Sequence, residues 1–230
     1  MNDAPTDAAT AAAGPSASSS DATTAVDRVA DELRSEILRG ALATGTPLRE
    51  EQIAARLGGS RHTVRAAFQR LVAERLAVAE AYRGVRVTSF DRHEIAALQD
   101  LRAALECEAV RLARARYGDV WPDEVLAPAR AALDRFDPGV GDGDVDWLEV
   151  EHAHAEFHQA LVAASGSPRI VEAYRALGSE LLLFLLQVRP HYGLAGLVEE
   201  HRLFLADVQQ RGPDAVREHL AHSTRLLLGE

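Results

Sequence analysis

Residues 48–87 decide the fold of this chain: Leu48-Arg-Glu-Glu-Gln-Ile-Ala-Ala-Arg-Leu-Gly-Gly-Ser-Arg-His-Thr-Val-Arg-Ala-Ala-Phe-Gln-Arg-Leu-Val72 leads to Arg83-Gly-Val-Arg-Val87. Apolar residues recur at helical spacing on both sides of Gly58 and Gly59, and glycine tolerates a sharp turn that a continuous helix does not. Ser60 suits the start of the second helix, because its hydroxyl can accept a free backbone N–H. The stretch predicts two short helices joined by a tight turn.

A basic hairpin follows these helices. Val78 and the run Val85–Val87 alternate as strand residues do, and Arg83-Gly84 is the predicted tip. Two amphipathic helices with a glycine turn also occur in proteins that bind no DNA, so the hairpin is the feature that favours a winged helix-turn-helix. With a first helix predicted from Val26 to Arg39, this domain is expected to span residues 26–90.

The distribution of charge indicates DNA as the partner. The whole chain has a formal net charge of −10, whereas residues 26–90 carry +3 and residues 49–86 carry +4. One basic face on an acidic protein is the electrostatic footprint of local phosphate binding. The residues expected to contact DNA are those of the second helix's first turns and of the hairpin: Ser60, Arg61, His62, Thr63, Arg65, Arg83, Gly84 and Arg86.

Composition excludes several other classes of protein. A single cysteine, Cys107, excludes a disulfide framework and a cysteine-based zinc finger. The apolar run Leu181–Val188 is too short to span a bilayer. The first residues lack the pattern of a secretion signal, so a cytoplasmic location is expected, with no membrane partner. Residues 1–25 are poor in large apolar side chains and are predicted to be disordered.

Residues 91–230 show helical periodicity and no strand pattern, which predicts an all-α bundle and a mainly α protein overall. The apolar content of this part favours a dimer. An Asp137–Gly143 loop and several prolines and glycines divide it. The predicted helices cover about Asp91–Arg116, Pro122–Phe136, Asp144–Ala164, Pro168–Gln187, Leu194–Arg211 and Pro213–Leu228.

Histidines concentrate in this helical half, which holds seven of the nine between residues 152 and 222. His154 and His158 are four residues apart and therefore share one helix face. Imidazoles from facing helices of a bundle commonly form a metal site, although histidines with only a structural role remain an alternative. The string His154-Ala-Glu-Phe-His158 is not the zinc-protease motif, because its glutamate is in the wrong position.

The two halves together resemble the GntR family of bacterial transcription regulators, in its FadR-like group with an all-helical FCD effector domain. The motifs that carry the resemblance are Ile37-Leu-Arg-Gly40, Gly45-Thr-Pro-Leu48, Ser60-Arg61, Val64-Arg65, Leu101-Arg102, Leu105-Glu106, Phe157-His158, Glu200-His201 and the run from Ala215 to His222. The resemblance implies a homodimer that binds double-stranded operator DNA and releases or tightens it when a small metabolite binds.

The resemblance also implies a metal site at His154, His158, His201 and His222, in the order that metal-binding members of the family use. His154 stands where those members have an aspartate, so the ligand set is all nitrogen and favours zinc or nickel. His219 falls where the family commonly has a large apolar residue and is expected to be packed rather than a ligand. Arg102 matches an arginine that can pair with a carboxylate effector, and the alternative is a surface or helix-pairing arginine.

Three departures and two competing functions remain. His62-Thr63 replaces the Thr-Pro usual in the family, Ala66-Ala67-Phe68 replaces its Glu-Ala-Leu, and Glu51 stands where some members have an arginine. The operator sequence therefore does not transfer. One alternative function is a regulator that senses the metal itself without an organic effector. The other is a metal-dependent hydrolase or lyase, for which no nucleophile–base pair stands out near the histidines.

Overall fold

A computed structural model of the protein describes residues 24–136, 145–191 and 193–228. The predicted tail, residues 1–25, lies outside these ranges except for Thr24 and Ala25, and the predicted 137–143 loop lies outside them entirely. The elements are α1 Ala25–Leu38, β1 Pro47–Leu48, α2 Glu50–Leu57, α3 Arg61–Ala73, β2 Ala77–Glu80, β3 Gly84–Val87, α4 Arg92–Tyr117, α5 Asp123–Phe136, α6 Trp147–Ala163, α7 Pro168–Arg175, α8 Gly178–Val188, α9 Leu194–Arg211 and α10 Pro213–Leu228.

The N-terminal elements form the winged helix-turn-helix that the sequence predicts. Gly58 ends α2 in the left-handed conformation, with φ of +68°, which glycine adopts without a steric penalty. Ser60 then caps α3, since its hydroxyl accepts the Thr63 N–H at 3.0 Å. Leu33 on α1 and Phe68 on α3 are almost fully buried against each other's helices, and this core holds α3 in place.

The wing is a three-stranded antiparallel sheet in the order β1–β3–β2. Glu80 pairs with Gly84, so the tip consists of residues 81–83 rather than the predicted Arg83-Gly84. The pairing of β1 with β3 was not predicted, because a two-residue strand is too short to show an alternating pattern.

The C-terminal elements form the predicted all-helical bundle, with one difference. The helix predicted over 168–187 is two helices, α7 and α8, separated at Ala176 and Leu177. The Leu177 N–H bonds to the Tyr174 carbonyl at 3.0 Å, which tightens the turn there. Tyr174 and Leu177, on either side of this break, are both buried in one core. The helical spacing of apolar residues in the sequence did not indicate the break. No helix within the described ranges is both long and apolar enough to cross a membrane.

The helix α8 packs against both halves of the molecule. Leu183 is fully buried in the core of the winged helix, whereas Leu181 and Phe184 belong to a core of the helical bundle. Glu180 also pairs with Arg75, at the C-terminal end of α3, at 3.2 Å. This single helix therefore connects the two halves mechanically.

Candidate metal centre and nucleic-acid interface

Three buried imidazoles meet at the centre of the helical bundle. The helix α6 supplies His154 and His158, and α9 supplies His201; each is at most 5% exposed. One ring nitrogen from each lies within 4.8 Å of the others. The predicted i, i+4 pair thus faces the histidine of a later helix, and we call these three residues the His trio.

Hydrogen bonds fix the tautomers of two members of the trio. Nδ1 of His201 lies 2.7 Å from the Leu197 carbonyl, which can only accept, so Nδ1 carries the proton. Nδ1 of His158 lies 3.0 Å from a carboxylate oxygen of Glu106 and donates to it for the same reason. The Nε2 lone pairs of these two rings therefore face the same space, 3.4 Å apart. A cation between them would turn this repulsion into two coordinate bonds.

The protonation states also suit a cation. Burial lowers the pKa of His154 and of His201 well below the ordinary value. Burial lowers the pKa of His158 to about 4, although Glu106 opposes part of the shift. All three imidazoles are therefore neutral at pH 7, which is the form that binds metals.

A buried ionic network supports His158 from behind. Arg102 donates from Nε to Glu106 at 2.9 Å, and Tyr174 donates its hydroxyl to the same carboxylate at 2.8 Å. Burial alone would raise the pKa of Glu106, but Arg102 and His158 outweigh it and hold the pKa well below its usual value. Glu106 is consequently an anion that orients the His158 ring, the arrangement typical of metal-binding histidines.

The structure places Arg102 inside this network rather than on the surface. Its side chain is 4% exposed, and Nη1 also donates to Gln99 at 3.2 Å. Arg102 nevertheless lines two of the small cavities beside the His trio, so a ligand there would meet its guanidinium.

The structure does not bring His222 to the trio. Its side chain is 46% exposed and lies 3.9 Å from Glu200. The imidazole that α10 turns toward the trio belongs to His219, whose ring centroid is 4.8 Å from that of His201 and which stacks on Phe204. The sequence predicts that His219 and His222 lie on the same helix, but only packing decides which of them faces the interior.

Three small cavities surround the trio and share His154 as a lining residue. Their volumes are about 30, 10 and 20 Å³, enough for water molecules or an ion rather than for a metabolite. Leu185 of α8 lines all three. Glu151, in the first cavity, is 5% exposed, and burial raises its pKa to about 7.

The exposed face of α3 is the candidate nucleic-acid interface. The side chains of Arg61 and Arg65 are about two-thirds exposed, and His62 is also exposed. Arg61 forms an ion pair with Glu51, and Arg65 holds Glu50 through two hydrogen bonds of 2.7 and 2.8 Å. Both acidic partners come from α2, so each arginine has a carboxylate that competes with phosphate.

The wing presents a second basic surface. Arg83 is 81% exposed and lies 3.8 Å from Glu80, whereas Arg86 pairs with Glu80 and is half-buried. Gly84 has φ of +84° beside the turn. Tyr82 occupies the tip and is fully exposed, a position that the sequence analysis did not single out.

Comparisons with known proteins agree with this architecture. A model described as "FCD domain" matches residues 97–225, and one described as "Bacterial regulatory proteins, gntR family" matches residues 25–87. A "Probable D-xylose utilization operon transcriptional repressor" from Paenarthrobacter nicotinovorans is 30% identical over 200 residues, 87% of this chain and 85% of that protein. The gluconate operon transcriptional repressor of Bacillus licheniformis is 26% identical, over 84% of this chain and 79% of that protein.

A solved structure has a similar fold over most of the chain. It is a GntR transcriptional regulator from Rhodococcus sp. RHA1, with a TM-score of 0.70 and 30% identity, covering 89% of this chain and 97% of that one. These relatives are regulators rather than enzymes, which removes the hydrolase or lyase alternative. The chain belongs to the GntR family of bacterial regulatory proteins and is a DNA-binding transcriptional regulator with a C-terminal FCD domain.

Proposed function

We propose that the affinity of this regulator for operator DNA changes when a small carboxylate binds beside a metal ion at the His trio. The observation that carries the proposal is the position of α8. Leu185 lines every cavity around the trio, and Leu183, two residues earlier, lies in the core of the winged helix. A ligand larger than water must enlarge these cavities, and a shift of Leu185 to make room would move α8 and with it Leu183 in the core of the DNA-binding domain.

The division of labour follows the two halves. Residues 26–90 form the DNA-binding domain, and residues 91–230 form the effector-binding and dimerisation domain. The protein is proposed to act in the cytoplasm. It is proposed to be a homodimer, because a protein with two-fold symmetry matches an operator made of two half-sites. The proposed DNA contacts are those at the start of α3 and in the wing: Ser60, Arg61, His62, Thr63, Arg65, Arg83, Gly84 and Arg86.

Charge changes at α3 and α2 should shift DNA affinity in opposite directions. Each lost arginine contact costs roughly 1–3 kcal/mol, so Arg61→Ala/Arg65→Ala should weaken binding by about 30-fold or more. Glu50→Gln/Glu51→Gln removes the competing carboxylates and should tighten binding by about 2–10-fold. The measurement is fluorescence anisotropy on a duplex selected from a random pool by the wild-type protein. Unchanged affinity in a folded double-alanine variant would exclude α3 as the recognition helix.

The metal is proposed to be zinc or nickel, held by His154, His158 and His201. Neutral imidazoles, two of them with their Nε2 lone pairs facing one space, suit these ions better than manganese or magnesium. When bound, the ion supplies a positive charge that can hold an anionic oxygen. The fourth protein ligand is proposed to come from α10, where His222 has the family position and His219 lies nearer in the structure.

The effector is proposed to be a small carboxylate that reaches both the ion and Arg102. The relative named for a gluconate operon supports a sugar acid or a similar hydroxylated acid as the first class to try. A second candidate function is metal sensing without an organic effector. The small volumes of the three cavities favour that alternative, since they admit an ion without movement of α8.

A ligand screen distinguishes these two functions. Metal-loaded protein is heated with a panel of carboxylates and sugar acids, and each stabilising compound is then tested for its effect on DNA affinity. A ligand at 100 times its Kd adds about 2.7 kcal/mol to the free energy of unfolding. The proposal expects one such compound to change DNA affinity in wild type and not in the metal-free His158→Ala/His201→Ala variant. If metal alone changes DNA affinity and no carboxylate does, the result would favour metal sensing without an organic effector.

A further inference from the structure

One carboxyl group in the helical bundle is buried with an oxygen left unpaired. Glu151 on α6 is 5% exposed, and its Oε1 atom has no hydrogen-bond partner among the described residues. A buried polar atom without a partner costs free energy, so most such atoms in proteins are hydrogen-bonded. Glu151 belongs neither to the His trio nor to the hydrogen-bond network of Arg102. It therefore requires a role of its own.

Glu151 lies in a chamber that leads to the His trio. It lines the largest of the three cavities, at about 30 Å³, and His154 lines the same cavity. The two residues are three positions apart on α6, a spacing that puts their Cβ atoms about 5–6 Å apart on one helix face. The chamber is otherwise lined mainly by apolar side chains, among them Val150, Leu185 and Leu197. A ligand held at the trio can therefore extend past His154 and present its far end to Glu151.

The charges around the chamber favour a neutral donor at that far end. Arg189 lines the same cavity, and its Cζ atom lies 5.2 Å from the centre of the Trp147 ring. An ammonium group would leave N–H donors unpaired among apolar side chains and would meet the like charge of Arg189. A second carboxylate would meet the like charge of Glu151 itself. A hydroxyl group needs only one acceptor and adds no charge.

We propose that Glu151 is a specificity-determining residue that accepts a hydrogen bond from a hydroxyl group of the effector. This hydroxyl lies at the far end of the molecule from the carboxylate that meets the ion and Arg102, so the assignment rests on the proposed carboxylate site. The preferred effector is a hydroxy acid with one carboxylate, rather than a dicarboxylate or an amino acid. The ligand supplies the donor that Oε1 lacks in the free protein.

A matched series of ligands tests the assignment on metal-loaded protein. Each set shares one carbon chain, about four to six carbons long to suit the helix spacing. Its members differ only at the far end, as in pentanoate, 5-hydroxypentanoate, glutarate and 5-aminopentanoate. In at least one set the hydroxy acid should bind wild type about tenfold more tightly than the other members, the effect of one hydrogen bond to an ionised group. Calorimetry above pH 7 keeps Glu151 ionised, because burial raises its pKa to about 7.

Two substitutions separate the hydrogen bond from the charge. Glu151→Leu removes the acceptor, so the hydroxy acid should lose its advantage over the unsubstituted acid. Glu151→Gln keeps an acceptor oxygen and removes the charge, so the dicarboxylate should bind about as tightly as the hydroxy acid. Both variants should retain the metal in elemental analysis, because Glu151 is not a member of the His trio. The control is Glu149→Gln, since Glu149 is exposed and pairs with Arg135 on α5, and it should bind the series as wild type does.

The stability of the free protein provides a second readout. Leucine suits the apolar chamber and leaves no oxygen unpaired, so Glu151→Leu should raise the melting temperature by about 2–4 °C or more. If Glu151 instead had a purely structural role, held by Arg189, the same substitution would lower the melting temperature, and that result would contradict the assignment.

Three binding results would also overturn the assignment. One is equal affinity of wild type for the unsubstituted and hydroxylated acids at every chain length. Another is an unchanged preference in Glu151→Leu, which would assign the hydroxyl contact to a different residue. The third is loss of metal from Glu151→Leu, which would make Glu151 a ligand of the ion. Failure of the proposed function differs from all three, because wild type would then hold no metal or bind no carboxylate of any set.

Discussion

Replacing His158 and His201 together by alanine should abolish tight binding of zinc and nickel. The two substitutions remove both Nε2 lone pairs that face each other across 3.4 Å and leave His154 as the remaining member of the trio. Removing a residue that hydrogen-bonds to a metal ligand already lowers metal affinity by roughly 10–100-fold. Removing two ligands should therefore lower it by more than about 1,000-fold. Elemental analysis and titration calorimetry on protein purified without a histidine tag provide the measurement.

Controls within the chain make this result specific. His152 lies on the same helix but is not among the three imidazoles that meet in the bundle, so His152→Ala should keep full metal affinity. His219→Ala and His222→Ala, measured separately, identify which histidine of α10 completes the site. Wild-type protein that stays metal-free after incubation with both ions, or a double variant that keeps the ion, would contradict the proposed site.

The pH at which metal is lost follows from the same geometry. Protons compete effectively with metals for imidazole at and below its pKa, and burial lowers the pKa of His158 from 6.5 to about 4. Metal should therefore remain bound at pH 5, where an exposed histidine site would already be largely protonated, and should leave as pH falls toward 4.

Arg102→Ala should destabilise the protein strongly, by roughly 3–5 kcal/mol in the free energy of unfolding. The variant leaves the Glu106 carboxylate buried without its guanidinium, with only Tyr174 and His158 as donors. In wild type the pKa of Glu106 is lowered, so its contribution is complete above the unfolded pKa of about 4.5 and is lost as pH falls through the folded value. The deficit of Arg102→Ala, measured by urea unfolding, should accordingly be larger at pH 7 than at pH 4.

A matched ion pair on the same helix provides the control. Arg111 pairs with Glu108 on α4 at 2.6 Å, but both side chains are about half exposed. Arg111→Ala should therefore change stability by less than about 1 kcal/mol. Equal effects of the two substitutions would show that burial does not increase the contribution of the Arg102–Glu106 pair to the free energy of unfolding. The double change Arg102→Met/Glu106→Gln should recover much of the loss, because no unpaired charge remains.

Local patterns in the sequence were sufficient for the mainly α class and for the helix-turn-helix. The apolar spacing, the left-handed glycine at position 58 and the cap at Ser60 predict the helix-turn-helix, and all three are decided by neighbours within one helical turn. The pairing of His154 with His158 on one face follows from helical periodicity alone. The mainly α class and the winged helix needed no knowledge of distant contacts.

The tertiary structure decided which faces those elements turn to each other. Whether His219 or His222 points inward depends on the rotation of α10 about its axis, and that rotation is set by packing against α4 and α9. Arg102 and Glu106 share a face of α4 through helical periodicity, but only the packing of α7 against α4 brings the Tyr174 hydroxyl to the same carboxylate. The contacts of α8 with both the His trio and the winged helix also come from tertiary packing. Periodicity determines which residues share a face of an element, whereas burial of apolar area across the whole chain determines what that face meets.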